Sequence, residues 1–352
     1  VEGQSQNEEA TEATEPLTAE EKLEKELEEA QAQIEDQKDK YLRLSAEFDN
    51  YRKRTVKEKA EAPQGKDSVR ATTTGIGKGN QALRDIPQSV TVVTEKLIDD
   101  RNLDTLKEAL KNTAGITFLA AEGGEEDIRL RGFSLATSGD IFVDGLRDPA
   151  FYERDTFNDD RVEVLRGSAS MLFGRGSTGG AVNQVSKQAR QDGVNEVSTT
   201  LGSHNALRVT GDFTVRTDEN AALRLNAMVH DADNHGARQK KQGLAPTFSW
   251  GVGTRDEFSV GLYYLNVEGR PLYNHPWVLG QDGQILPTLP AKNYYGLASD
   301  YLNTTTQYLT LGHTHRFDDG GELQTRLRTG RYERDLLAST IGFANPRPTS
   351  LD

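Results

Sequence analysis

The sequence predicts three architectures in series: a long coiled-coil α-helix, a small α+β domain, and an antiparallel β-sheet with the strand length and period of a barrel wall. Three observations predict them. Leu23, Leu27, Ala30, Ile34, Gln37, Tyr41, Leu44, Phe48 and Tyr51 follow one another in steps of four and three. Between residues 81 and 190, short apolar runs ending in glycine turns surround one short helical pattern. After Lys187 apolar and polar residues alternate with period two over about ten residues at a time, the length of a tilted membrane-crossing strand.

The heptad is the first element. Four heptads on one stripe mark a coiled coil, with Gln37 as its one polar position. Residues 1–19, rich in Glu, Thr, Gln and Ser, precede it as a disordered acidic tail. Thr18 and Glu21 have the spacing of a capping box at its start, and Pro63 with Gly65 end it. Residues 63–80 then read as a flexible linker, and GIGKGN within them lacks the residues of a phosphate loop.

Residues Lys40 to Glu61, KYLRLSAEFDNYRKRTVKEKAE, closely resemble the long paired helix of GrpE, the nucleotide-exchange factor of DnaK-type chaperones. The resemblance covers about the first 62 residues and stops before that family's helical bundle and β-domain. It implies a cytoplasmic origin and, at most, dimerisation through residues 20–62; exchange activity is not implied, and a fragment of a DnaK nucleotide-exchange cofactor is the alternative reading of the chain.

The second element carries more specific motifs. Val90–Val93 is a short strand, Asn102 to Lys111 a short helix, and Ile116–Leu119 a further strand. IPQSVTVVTEKLI (86–98), IRLRGF (128–133), IFVDGL (141–146), RVEVLRG (161–167) and FGRGSTGGAVNQVSK (173–187) occur in the order and spacing of the plug of TonB-dependent receptors. The stretch RDPAFYERDTFND (147–159) looks most like the siderophore branch. The motif residues carried over are Arg129, Gly132, Asp144, Gly145, Arg166, Gly167, Gly174, Gly176, Gly179 and Gly180. Gly174, Gly176 and Gly179 also match a dinucleotide fingerprint, but a strand pattern follows them where that motif needs a helix. The glycines are expected to serve tight turns.

The third element contributes seven strands, at about 194–202, 205–217, 221–233, 243–253, 256–268, 304–317 and 321–335, with one long loop over 269–303. Alternation alone also fits a soluble antiparallel sandwich. The plug resemblance implies instead an α+β plug domain (81–190) followed by an incomplete antiparallel transmembrane β-barrel (191–352). Plugged barrels of this kind have about 22 strands, so seven cannot close and the chain reads as a fragment. The short turns at Arg216–Asn220 and Asp318–Gly321 are expected on the periplasmic side, and the long loop on the extracellular side.

Composition bounds function. The chain has 352 residues, 35% hydrophobic, with a mean hydropathy of −0.68 and no cysteine. There is no run of about 18 apolar residues, which excludes a spanning helix but not a barrel. The net charge is −13, of which about −8 falls in residues 1–62. No basic face suits nucleic acid, and no nucleophile–base constellation points to an enzyme. His313 and His315 share a strand face, but two ligands fall short of a metal site and are expected as wall residues. Asp99-Asp100 and Asp159-Asp160 are expected in solvated turns.

For the intact parent, the resemblance implies an outer-membrane transporter that moves ferric siderophores with energy from the TonB complex. The protein itself would hold no cofactor, because the siderophore coordinates the iron. Arg131, Arg147, Phe151, Tyr152 and Arg154 on the plug, with Tyr273 and Trp277 of the long loop, suit an anionic, oxygen-rich ligand. For each arginine the competing expectation is a salt bridge to the barrel wall. No TonB box is found before residue 80, and the opening VEGQSQNEEA has neither the basic start nor the apolar core of a signal peptide. A cytosolic helix ahead of an exported receptor reads as a chimera.

Overall fold

The computed structural model describes residues 27, 30–47, 68–79, 81–119, 126–149, 151–174, 179–193, 195–271, 276, 278–279, 282–286, 290 and 292–343. The chain divides into two compact units, 1–59 and 60–352. In the first, residues 30–47 form one α-helix (α1), steadied by ion pairs one turn apart such as Lys40–Asp36 at 2.7 Å. Its heptad residues Ile34, Tyr41 and Leu44 are exposed. The rest of the predicted stripe, except Leu27 and Gln37 and Ala30, lies outside the described residues.

The second unit opens with a small hairpin, β1 (Thr73–Thr74) and β2 (Gln81–Ala82). There follow β3 (Ser89–Thr94), α2 (Glu95–Asp100), α3 (Leu106–Leu110), β4 (Ile116–Leu119), β5 (Asp127–Leu130), β6 (Phe133–Ser134), α4 (Leu135–Ser138), β7 (Ile141–Val143), β8 (Leu146–Arg147), β9 (Asp159–Arg166), α5 (Ser170–Phe173) and β10 (Gly180–Ser186). β3, β9, β10, β7 and β8 form a five-stranded sheet in that order, with β4, β5 and β6 in a second sheet of three. Ile128, Leu130, Leu106, Leu110, Val162 and Val164 meet in its core, each fully buried. Burial of each such side chain stabilises by about 1.5–3 kcal/mol.

Capping sets the helix limits. The hydroxyl of Thr105 accepts from the Glu108 N–H while the Glu108 carboxylate accepts from the Thr105 N–H, so the helix predicted over 102–111 shortens to Leu106–Leu110. Thr94 caps α2 without the reciprocal bond, its hydroxyl accepting from the Leu97 N–H.

The predicted linker is partly wrong. Thr74 Oγ1 and Gly75 N–H both donate to the buried carboxylate of Glu163, at 2.8 and 2.9 Å, and Ile76 is buried with Phe142, Leu165 and Ala181. One isoleucine between two glycines is too weak a pattern to announce a core contact.

The wall consists of β11 (Glu196–Leu201), β12 (Leu207–Asp218), β13 (Ala221–Asn234), β14 (Ala237–Trp250) and β15 (Asp256–Arg270), then the small loop hairpin β16 (Val278–Leu279) and β17 (Ile285–Leu286), then β18 (Tyr301–Arg316) and β19 (Glu322–Leu337). β11 to β15, β18 and β19 make one seven-stranded antiparallel meander. β14 begins six residues earlier than its alternation predicts, because Arg238, Gln239, Lys240 and Lys241 are polar on both faces.

The sense of burial decides between sandwich and barrel. The buried face carries Arg208, Arg224, Asn226, Lys241, Thr304 and Thr306, whereas Leu223, Val229, Leu244, Leu262 and Leu327 are exposed. A water-soluble sheet has the reverse arrangement, and a wall with a polar lumen and an apolar outer face has this one. The outer face also bears a row of rings near the short turns: Phe248 and Trp250 at 5.7 Å, Trp250 and Phe258 at 5.3 Å, then Phe258 and His313 at 4.4 Å between centroids.

Candidate functional site

The polar face of the wall meets an acidic edge of the α+β domain. Arg208, on β12, donates from both terminal nitrogens to Asp155, at 3.0 and 2.6 Å, and its Nε lies 3.1 Å from Asp104. Lys241, on β14, bonds Glu153 and lies 3.7 Å from Asp155. Arg328, on β19, donates to Asp144 at 3.2 Å, and Arg326 donates to the Asp144 carbonyl at 2.9 Å. Arg224 forks onto Asp212 within the wall, and Lys187 joins that pair to Glu95 of α2. Bidentate guanidinium–carboxylate pairs fix orientation as well as charge.

Aromatic packing completes the contact. Phe157 stacks on Tyr263 at 5.6 Å, Tyr263 on Tyr308 at 4.7 Å, and the Arg328 guanidinium lies 4.1 Å over Tyr308. Gly243 makes room for this: a Cβ there would sit 2.7 Å from the Phe157 ring.

Burial and charge act against each other on the plug carboxyls. Burial disfavours ionised Asp155, but Arg208 and Lys241 more than offset it and hold its pKa below the ordinary carboxylate value. Asp159 is hydrogen-bonded to Gln184 rather than to a cation, and Lys187 offsets its burial only in part. Burial pushes it well up against the single Gln184 amide donor at 2.6 Å, with Asp155 and Asp144 adding to the rise. Asp159 and Asp160 are therefore not in the solvated turn predicted for them; both are buried, at the start of β9. A raised carboxyl favours the folded state at low pH, and that contribution is lost as pH rises from the unfolded pKa of about 3.9 through the folded one. Asp159→Asn is expected to leave stability at pH 4 nearly unchanged and to raise it at pH 8, measured by chemical unfolding at each pH. Equal effects at both would show that Asp159 is ionised in the fold.

The predicted ligand residues separate. Phe151 is 60% exposed, and Arg131 is exposed at positive φ beside Gly167. Arg147 is partly exposed, but bonds the carbonyls of Ser138, Gly139 and Phe173 and lies 3.7 Å from Asp140. Tyr152 and Arg154 are buried, Tyr152 against wall residues such as Tyr332 and Arg154 among plug carboxylates. Arg154 is 1% exposed, donates to both Glu126 oxygens at 2.7 Å from its backbone N–H and Nη1, and donates from Nε and Nη2 to Asp148 Oδ2 at 3.1 and 2.9 Å. Tyr152 donates to the same Asp148 at 2.5 Å, as Tyr332 of β19 does at 3.0 Å. The residue types suited to an anionic ligand suit an internal carboxylate equally, and Asp148 and Glu126 claim them. Tyr273 and Trp277 lie outside the described residues, as does Gly176.

The motif residues take turn and anchor roles. Gly132, Gly145, Gly167, Gly174 and Gly180 have positive φ. At Gly180 a Cβ would also run into the Leu165 carbonyl. Gly179 closes the Gly167 turn by accepting its N–H at 2.9 Å. Asp144 receives the Ser186 N–H and hydroxyl, both at 2.8 Å. Arg166 bonds the Ala114 carbonyl and Thr91, and Arg129 pairs with Asp127.

An α+β domain clamped by ion pairs to the polar face of an antiparallel meander defines the class: a plug with part of its barrel wall. The model of the TonB-dependent Receptor Plug Domain matches residues 82–181, and that of GrpE matches residues 6–68. The chain is 31% identical over 295 residues to the catecholate siderophore receptor Fiu of Escherichia coli (strain K12), covering 78% of this chain and 38% of Fiu. The structure of the ferric-catecholate import receptor Fiu in its closed form is similar with a TM-score of 0.68 and 29% identity, over 73% of this chain and 38% of that one. Protein GrpE of Bacteroides fragilis (strain YCH46) is 98% identical over 61 residues, 17% of this chain and 31% of GrpE. Residues 82–181 thus carry a plug domain of the TonB-dependent receptors, to which the chain beyond residue 68 is related, and residues 6–68 are a GrpE segment. The chain spans little more than a third of the receptors it matches.

Proposed function

We propose that the receptor part is the N-terminal portion of an outer-membrane transporter of ferric siderophores, energised through TonB. The observation that carries this reading is the plug clamped to the lumen side of a wall whose outer face is apolar. The names of the similar receptors point to a catecholate ligand. Arg131, Arg147 and Phe151 are the plug residues proposed to face it, with Tyr273 and Trp277 from the long loop. The iron travels as cargo within its siderophore, and no protein-bound cofactor or catalytic step is proposed. The proposed division is a coiled-coil helix within 20–62, a plug over 81–190 that takes in residues 73–76, and wall strands within 191–352.

Ferric-catecholate binding to the whole chain in detergent micelles tests this, read by quenching of its tyrosine and tryptophan emission. Saturable quenching is expected, weakened at least about tenfold by Arg131→Ala with Phe151→Ala, a loss of about 1.4 kcal/mol. Quenching that never saturates, or that the double variant leaves unchanged, would overturn the ligand reading.

A second reading concerns residues 6–68 alone. Identity of 98% to one protein there, against 31% to another beyond, supports a chimera of two unrelated chains. The exposed stripe on α1 suits pairing with a second copy. Light scattering on the same sample should then give two copies per particle, and Ile34→Lys should return one.

A further inference from the structure

His313 and His315 do not stand alone. Asp256, 57 residues before the first of them, opens β15 directly opposite His315 in the ladder, while Phe258 lies opposite His313. Asp256 Oδ1 is 2.9 Å from His313 Nε2 and 2.7 Å from His315 Nδ1, and the ligand atoms of all three residues lie within 4.8 Å of one another. We propose that Asp256, His313 and His315 form a site for a divalent transition-metal ion, zinc above all, on the outer face of the wall near its short turns.

Geometry and donor chemistry both support it. Two imidazole nitrogens and one carboxylate oxygen are a common zinc ligand set, and water completes the tetrahedron. Metal–ligand bonds of about 2.0–2.2 Å place tetrahedral ligand atoms about 3.3–3.5 Å apart. The observed 2.7 and 2.9 Å need only a small opening to admit an ion. The rings are held where they would be needed: Phe258 stacks on His313 at 4.4 Å and 10°, and Phe317 meets His315 edge-on at 4.7 Å. Such support fixes ring orientation before an ion arrives. All three side chains are also accessible, being 25–43% exposed.

The neighbouring charges leave the cluster to itself. Arg316 is engaged with Glu257 and Glu322, and Arg255 with Asp318. Among the described residues the other close histidine pair, His204 and His235 at 3.1 Å, belongs to the turns at the opposite ends of the strands and has no third ligand in reach. A bound ion would tie β15 to β18 at the end away from their long connecting loop.

Cobalt titration of the whole chain in micelles is the test, because tetrahedral Co2+ with nitrogen ligands absorbs visibly and aqueous Co2+ hardly does. One equivalent of coloured complex is expected, bleached by zinc. Asp256→Asn and His313→Phe should each weaken it more than about a hundredfold, beyond the 10–100-fold typical of losing a mere supporting group. His313→Phe keeps a ring on Phe258, so loss of binding there is not loss of fold. His204→Gln should change nothing. Colour that survives in Asp256→Asn with His313→Phe, or that vanishes in His204→Gln, would overturn the assignment, as would absence of the tetrahedral spectrum in the parent chain.

Discussion

Arg154→Ala is expected to destabilise the plug by about 3–5 kcal/mol, the scale of removing one partner from a buried ion pair. The change strands two carboxylates at once. Glu126 and Asp148 have fully buried side chains, and Arg154 supplies each with two donors. The backbone donor to Glu126 survives the substitution, and the Tyr152 and Tyr332 hydroxyls still reach Asp148, so neither carboxylate loses every partner. Burial already pushes Glu126 up to about 7 against the pull of Arg154. A group raised in the folded state contributes stability at low pH and loses it as pH rises. Without the guanidinium the pKa should climb further, so the deficit should be smallest near pH 5 and grow through pH 8. Chemical unfolding in micelles at both pH values measures this. The exposed Arg131→Ala, expected within about 0.5 kcal/mol of the parent, is the comparison. If Arg154→Ala costs no more than Arg131→Ala, then Arg154 is not an internal fastener, and the ligand role suggested by its sequence context returns.

That pair of arginines shows where the sequence was legible. Arg131 and Arg154 stand in similar company, among aromatic and acidic residues of the plug loops, and nothing local separates them. The partner that does, Glu126, lies 28 residues before Arg154, just ahead of β5. The wall was easier. Period two fixed six of its seven strands closely, and the parity of Arg208 and Arg224 set them opposite the leucines and valines of the outer face, whereas Lys241 fell in the part of β14 that alternation missed. Their carboxylate partners on the plug carry no comparable signal, because a surface aspartate and a buried, paired one are the same letter. Asp159-Asp160 was misread for that reason. α2 was missed because its six residues make less than two helical turns, too few for a helical period to show. Asp256 escaped as the third ligand because only the register of β15 on β18 brings it to His315.

Glu163→Ala should have the other large effect, and its pattern matters more than its size. One buried carboxylate there accepts from Thr74 Oγ1, Gly75 N–H, Arg161 Nε and Asn183 Nδ2, at 2.8 to 3.0 Å. Each buried donor left unsatisfied costs about 1–3 kcal/mol, though Arg161 keeps Asp160. Two of the four, from Thr74 and Gly75, belong to the segment that leads into the plug, and they tie it to the central sheet, whereas its β1–β2 ladder ties it only to the neighbouring hairpin strand. The ladder of β9 on β10 does not depend on Glu163's side chain, since its bonds are main-chain. Hydrogen exchange should therefore show Gly75 and Ile76 losing protection by several orders of magnitude while Val164 and Val182 change far less. Glu163→Gln, which keeps one acceptor oxygen, should fall between. Equal loss across all four amides would mean that the carboxylate supports the whole sheet. Selective loss would mean that Thr74–Ile76 is a separable clasp, and that a pull applied to the chain before residue 73 has to break the two hydrogen bonds from Thr74 and Gly75 to one carboxylate before it strains the central sheet of the plug.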